Sequence, residues 1–314
     1  MTFKQLQEEI LTLKKQNNVV ILAHYYQPIE IQEIADYVGD SLGLSRTAKE
    51  KANTDYIIFA GVDFMCETAS ILNRDKHIMI PNYESCCPMA AFLTPEMVRE
   101  FKEKYPGLPV VVYVNSTAAV KAESDICCSS SNAVEIVKRI SNEFNTKEVL
   151  FGPDANLADY AEQESGIKCW QMPSHGHCYV HSQIKLEHLM DVRKEYPNAK
   201  VLVHPECIRE VRKLADFVGS TAQMYNTVKN STSEEKEFII GTEMGLMERM
   251  AQDFPHKKFY LAKKKLVCYN MKKHNLELIK YILENLEDKT FEVIVPLDIA
   301  KRALNPIEKM LKYS

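Results

Sequence analysis

Cys87, Cys178 and Cys268 stand 91 and 90 positions apart, each just after an apolar stretch: "HIMIPNYESCCPM", "IKCWQMPSHGHCYVH" and "KFYLAKKKLVCYNM". Cys86 adjoins Cys87, but counting from it makes the first step 92, so Cys87 keeps the register better. Three thiolates delivered to one point suit zinc or an iron–sulfur cluster. The chain has no CxxC pair, which argues against a zinc ribbon or finger. A 4Fe–4S cluster held by three cysteines leaves one iron without a protein ligand, able to act as a Lewis acid on substrate oxygen. Cys66, Cys127, Cys128 and Cys169 read as small buried apolar side chains.

A second set of groups ends three β-branched runs, "NNVVILAHYYQP", "GLPVVVYVNST" and "NAKVLVHPEC". These place His24, Tyr25 and Tyr26, then Tyr113, Asn115 and Ser116, then His204, Glu206 and Cys207 at like positions. Imidazole, phenol and carboxylate at strand ends are candidate acids and bases. His204 and Glu206 alternate, so a regular strand puts them on one face. A third set reads as turns into helices: Gly39-Asp40-Ser41, Ser129 to Ser131, and Gly219-Ser220-Thr221. Amides and hydroxyls at a helix start bind carboxylate or phosphate; plain capping is the alternative. With no Walker or dinucleotide glycine pattern, anion binding without a nucleotide fits better.

The elements that position these groups follow from an internal repeat. His24, Asn115 and His204 are 91 and 89 apart, as are Gly61, Gly152 and Gly241, and the acids Asp63, Asp154 and Glu243. A period near 90 is the size of a small domain present three times. "YILENLEDKTFEVIVP" begins a partial fourth copy, with Pro296 lying 91 after Pro205. Unbroken apolar strands separated by helices argue for parallel sheets covered on both faces. The expected fold is α/β: three homologous three-layer αβα domains around a pseudo-threefold axis, with the active site at the centre beyond the carboxyl ends of the strands. The repeats run 17–107, 108–197 and 198–288; a helix at 1–16 and a strand and helix at 289–314 complete the fold.

Composition excludes several classes. The 314 residues are 46% hydrophobic and 26% charged, with net charge −4, which offers nothing to nucleic acid or to an anionic membrane surface. No apolar run approaches a membrane span. Phe3, Leu6, Ile10 and Leu13 make the N-terminal stretch an amphipathic helix, unlike a signal peptide. Nine cysteines without an export signal imply thiols or metal ligands in a reducing compartment, hence a cytoplasmic location.

Segments from end to end, "AHYYQ", "GDSLGLSR", "CPMA", "YVNST", "GPDANL", "GHCYVH", "HPEC", "VGSTAQM", "GTE" and "VCYNMKK", resemble the signature segments of the quinolinate synthase family. The resemblance implies an oxygen-sensitive 4Fe–4S enzyme of de novo NAD biosynthesis. It would condense iminosuccinate with dihydroxyacetone phosphate to quinolinate, phosphate and water, with possible functional coupling to L-aspartate oxidase. Family cluster ligands fall on Cys87, Cys178 and Cys268, and substrate-binding positions on His24, Ser41, Tyr113, Asn115, Ser130, His204, Glu206 and Thr221. Tyr26 matches a tyrosine credited with acid–base work; Glu206 and Tyr26 would shuttle protons while His204 and Tyr113 orient and stabilise the intermediate. Many members carry further cysteines where this chain has Ala262 and Lys265, so a redox switch built on them is not expected; Tyr269 replaces a common proline. A hydro-lyase using the same cluster, and a non-catalytic zinc or iron protein, are the rival readings.

Overall fold

The computed structural model describes residues 2–50 and 54–313. Its strands are the apolar runs. The first lobe holds β1 (Val19–His24), β2 (Tyr37–Gly39), β3 (Tyr56–Ala60) and β4 (His77–Met79). The second holds β5 (Val110–Tyr113), β6 (Ile126–Cys128), β7 (Glu148–Gly152) and β8 (Lys168–Gln171). The third holds β9 (Lys200–Val203), β10 (Phe217–Val218), β11 (Glu237–Gly241) and β12 (Lys258–Leu261). Each lobe is a four-stranded, wholly parallel sheet in one order: β2-β1-β3-β4, β6-β5-β7-β8 and β10-β9-β11-β12. This is the α/β architecture that the alternation of strands and helices implies.

Alternation along each central strand divides the interior. Leu22, Val111 and Leu202 face one shared central core, together with Phe59, Phe151 and Phe238. Their neighbours face three separate outer cores: Ile21 and Ala23 pack with Leu6, Ile10 and Ile279, Val110 and Val112 with Val98 and Val120, and Val201 and Val203 with Leu189 and Val211. Both faces of every sheet are therefore buried, which is why the runs read as unbroken rather than alternating.

The short outer strands β2, β6 and β10 were not foreseen beside the three runs of each repeat, because two or three residues are too few to display a strand period. An acid holds each in place. Asp36, Asp125 and Asp216 each accept the N–H of a residue in the central strand (Ile21, Val110, Val201) at 2.8 Å and return their own N–H to that residue's carbonyl.

Strand order reverses between β1 and β3, and likewise in the other lobes, opening a crevice at the carboxyl ends. Residues 291–295 run antiparallel beside β4, bridged at Met79 and Glu292, and the helix Leu297–Lys312 follows. It packs on β6 and on the helices Ala118–Lys121 and Asp63–Leu72, joining the first two lobes. Among the described residues no helix is long and apolar enough to cross a membrane.

Candidate active site

The three crevices open on one shared cavity, lined by residues of all three lobes. The loops after β4, β8 and β12 bring Cys87, Cys178 and Cys268 to it. The ends of β1, β5 and β9 bring His24 and Tyr26, Tyr113 and Asn115, and His204 and Glu206. Ser41, Ser130 and Thr221 complete the wall. The other strand-end groups, Tyr25, Ser116 and Cys207, and the helix-start Ser131 and Ser220 do not line it; Tyr25 stacks instead on Tyr225.

Each cysteine leads into a tight turn: Pro88–Phe92 directly after Cys87, His181–Gln183 after Cys178, and Met271–Lys273 after Cys268. Backbone amides of these turns (Ala90 and Met89; His181; Met271 and Asn270) meet the sulfurs and favour thiolate. Burial acts more strongly and raises all three thiols above the ordinary cysteine range. Among the charges that oppose ionisation, Cys268 acts on Cys87, and Cys268 and Cys87 act on Cys178. Thiols whose charges oppose one another in this way are stable as thiolates when a cation compensates them.

A chain of hydrogen bonds crosses the cavity floor. The Tyr26 hydroxyl lies 2.6 Å from Thr242 Oγ1, which lies 2.9 Å from His181 Nε2. His181 Nδ1 is 2.7 Å from Glu206 Oε2, and the Tyr113 hydroxyl donates to Glu206 Oε1 at 2.6 Å. Burial opposes charge on Glu206, but the hydrogen bonds from the His181 ring and the Tyr113 hydroxyl hold its carboxyl below the usual carboxylate range. Burial, then the Glu206 charge, raises Tyr26 and Tyr113 well above the ordinary phenol, so both are donors.

His24 and His204 are lowered to about 3, chiefly by burial, and stay neutral. Nδ1 of each accepts a backbone N–H two residues on, from Tyr26 at 3.1 Å and Glu206 at 3.3 Å, so the proton sits on Nε2. The matching position in the second lobe is Asn115, whose Oδ1 is buried without a partner among the protein's own atoms. An orphaned polar atom on a cavity wall indicates a ligand.

Ser41 opens the helix Ser41–Glu50, and Thr221 the helix Thr221–Lys229, capped by Ser220. In the second lobe Asn132 is the residue before the helix, and Ser130 lies a turn ahead of it, bonded to Tyr113. Ser220 Oγ donates to Asp40 Oδ2 at 3.2 Å, linking the first and third lobes. Burial raises the Asp40 carboxyl above its ordinary value, against the hydrogen bonds it accepts from the Gly43 N–H and the Ser220 hydroxyl.

His181 and Thr242 carry no repeat mark of their own in the sequence, and Asp40 reads there only as part of a turn into a helix. At the repeat positions of His181 stand Ala90 and Met271, and at those of Thr242 stand Val62 and Pro153, so the repeat that marks the other residues is silent here. The one available signal was His181 closing "HCYVH", three after Cys178.

Fold and cavity together define a three-lobed α/β protein whose lobes share a central acid–base pocket edged by one thiol from each. The chain matches the family described as quinolinate synthetase A protein over residues 8–312. It is 47% identical to the quinolinate synthase of Thermotoga petrophila over 305 residues, covering 97% of this chain and 98% of that protein. It is 47% identical to the quinolinate synthase of Pyrococcus abyssi over 307 residues (98% and 99%) and 46% identical to that of Alkaliphilus metalliredigens over 308 (97% of each). The chain belongs to the quinolinate synthetase A family.

Proposed function

We propose that the chain makes quinolinate from iminosuccinate and dihydroxyacetone phosphate, releasing phosphate and water, with a 4Fe–4S cluster on Cys87, Cys178 and Cys268. One observation carries the reading: a thiol from each of three lobes edges the cavity that holds Glu206, Tyr113, Tyr26, His24 and His204. Among the described residues, the group close enough to hold one ion, with ligand atoms within 4.8 Å of one another, is Cys178, His181 and Glu206. The donor set of the three thiols is soft, as a cluster requires. When bound, the cluster supplies a Lewis-acidic iron with a place free for substrate oxygen.

The remaining chemistry falls to the chain. The substrates bring two carboxylates and a phosphate. Nε2–H of His24 and His204, the Asn115 amide, and the hydroxyls of Ser41, Ser130 and Thr221 offer donors to them around the wall. Glu206 accepts the proton lost on condensation, and Tyr113 donates to an oxygen gaining charge. The bonded chain from Glu206 through His181 and Thr242 to Tyr26 gives the later proton transfers a route between the two residues. Nine free cysteines suit a reducing compartment, and we place the protein in the cytoplasm.

Anaerobic purification tests this directly. Expected are iron and acid-labile sulfide in the chain, a brown absorbance bleached by air, and quinolinate from the two substrates. A colourless zinc protein with its ion on Cys178, His181 and Glu206, or a cluster-loaded protein acting on a different hydroxy acid, would overturn the reading.

A further inference from the structure

The glycine–residue–acid triplets that keep the repeat register have so far no task. Asp63, Asp154 and Glu243 follow β3, β7 and β11 and open the next helix. Each does what a helix start asks: Asp63 Oδ1 accepts the Phe64 N–H at 2.8 Å, Asp154 Oδ1 that of Leu157 at 2.7 Å, and Glu243 Oε2 that of Gly245 at 2.6 Å. Each also reaches across to the cysteine loop of its own lobe. The N–H of Cys87 donates to Asp63 Oδ1, that of Cys178 to Asp154 Oδ2 and that of Cys268 to Glu243 Oε1, all at 3.1 Å.

Capping does not account for the second bond. A helix start needs an acceptor close by in sequence, yet the cysteines lie 24, 24 and 25 residues on. The bond also survives a change of side chain, since the longer Glu243 meets Cys268 at the distance the aspartates keep. Asp154 and Glu243 are fully buried, and a buried carboxylate persists only where donors satisfy it. Fixing the cysteine N–H fixes the plane from which its sulfur projects, and leaves the amides of the following turn to meet that sulfur.

We propose that Asp63, Asp154 and Glu243 are positioning residues of the metal centre, each aiming the cysteine of its own lobe. This rests on the reading of the three thiols as metal ligands. Loss of an outer partner of a metal ligand typically weakens metal retention 10- to 100-fold.

The test uses the full chain loaded with iron and sulfide anaerobically. Asp154→Asn and Glu243→Gln keep the shape but offer one oxygen to two N–H donors. Both variants are expected to lose iron to a ferrous chelator about 10-fold faster than the parent or more, with an altered spectrum of the reduced centre. Glu243→Asp keeps a carboxylate and recovers most of the retention. Thr2→Ala, which removes the cap of the helix Phe3–Gln16, a helix that lines no part of the cavity, lowers the melting temperature and leaves iron loss unchanged. Should a buried variant fail to fold, Asp63→Ala, at a less buried acid whose Oδ1 alone accepts both N–H groups, removes the acceptor and carries the same expectation. Parent-like iron loss and spectrum in the amide variants, with only the melting temperature lowered, would make the acids plain caps. A parent that takes up no iron and sulfide overturns the metal reading itself.

Discussion

Glu206 is held by donors from two sides, Tyr113 O–H on one oxygen and the His181 ring on the other. Glu206→Gln preserves shape but turns an NH₂ toward one of these donors. With its base removed, kcat should fall by about 10²- to 10⁴-fold, while iron content stays at the parent level because no sulfur is touched. Single-turnover assay beside iron analysis checks this; parent-like turnover would remove Glu206 from the chemistry. Its neighbourhood also marks how far single residues are legible. His24, Asn115 and His204 announce themselves because a shared strand-end geometry repeats at 91 and 89 positions. His181 and Thr242, which complete the hydrogen-bonded chain from Tyr26 to Glu206, sit at the shared centre in one lobe each, and a contact made once leaves no triplicate trace.

At the scale of elements, the loops carrying the cysteines are tied to neighbouring lobes as well as to their own. His274, at the end of the turn after Cys268, places Nε2 2.6 Å from the Gly61 carbonyl, beyond β3 of the first lobe. Ser85 Oγ donates to the same carbonyl at 3.0 Å. Burial lowers His274 from 6.5 to about 4, against the pull of the Gly61 carbonyl, and its Nδ1 is buried without a partner. The unfolded chain therefore takes up a proton below pH 6.5 that the folded chain refuses until near pH 4. The stability this contributes is present above the unfolded value and is lost as pH falls through that window. About 1 kcal/mol should disappear between about pH 7 and 5.5. His274→Gln keeps a donor for Gly61 but does not titrate, so its urea midpoint should fall less over that range than the parent's. Equal slopes would mean that His274 titrates normally. The paired strands around this loop were readable because both faces of each sheet are buried; β2, β6 and β10 were not, being pinned by Asp36, Asp125 and Asp216 rather than by a pattern of their own.

At the scale of the whole molecule, the lobes converge because each presents one strand face to a common core and the other to its private helices. The helix Leu297–Lys312 closes this arrangement from outside. Ala300, Ala303, Ile307 and Met310 face the shared core, and Arg302 pairs with Glu123 while Lys49 pairs with Glu308. The surface pairs contribute little; the apolar stripe holds the first lobe to the second. Ile307 is fully buried, so Ile307→Ala should cost about 2–5 kcal/mol through lost burial and the cavity left behind. None of the four apolar residues on this stripe lines the catalytic cavity. The folded fraction should therefore keep its iron content and kcat while the denaturation midpoint drops. Iron loss at an unchanged midpoint would instead mean that this helix acts on the centre through the Asp63–Leu72 helix it packs against, whose first residue holds Cys87.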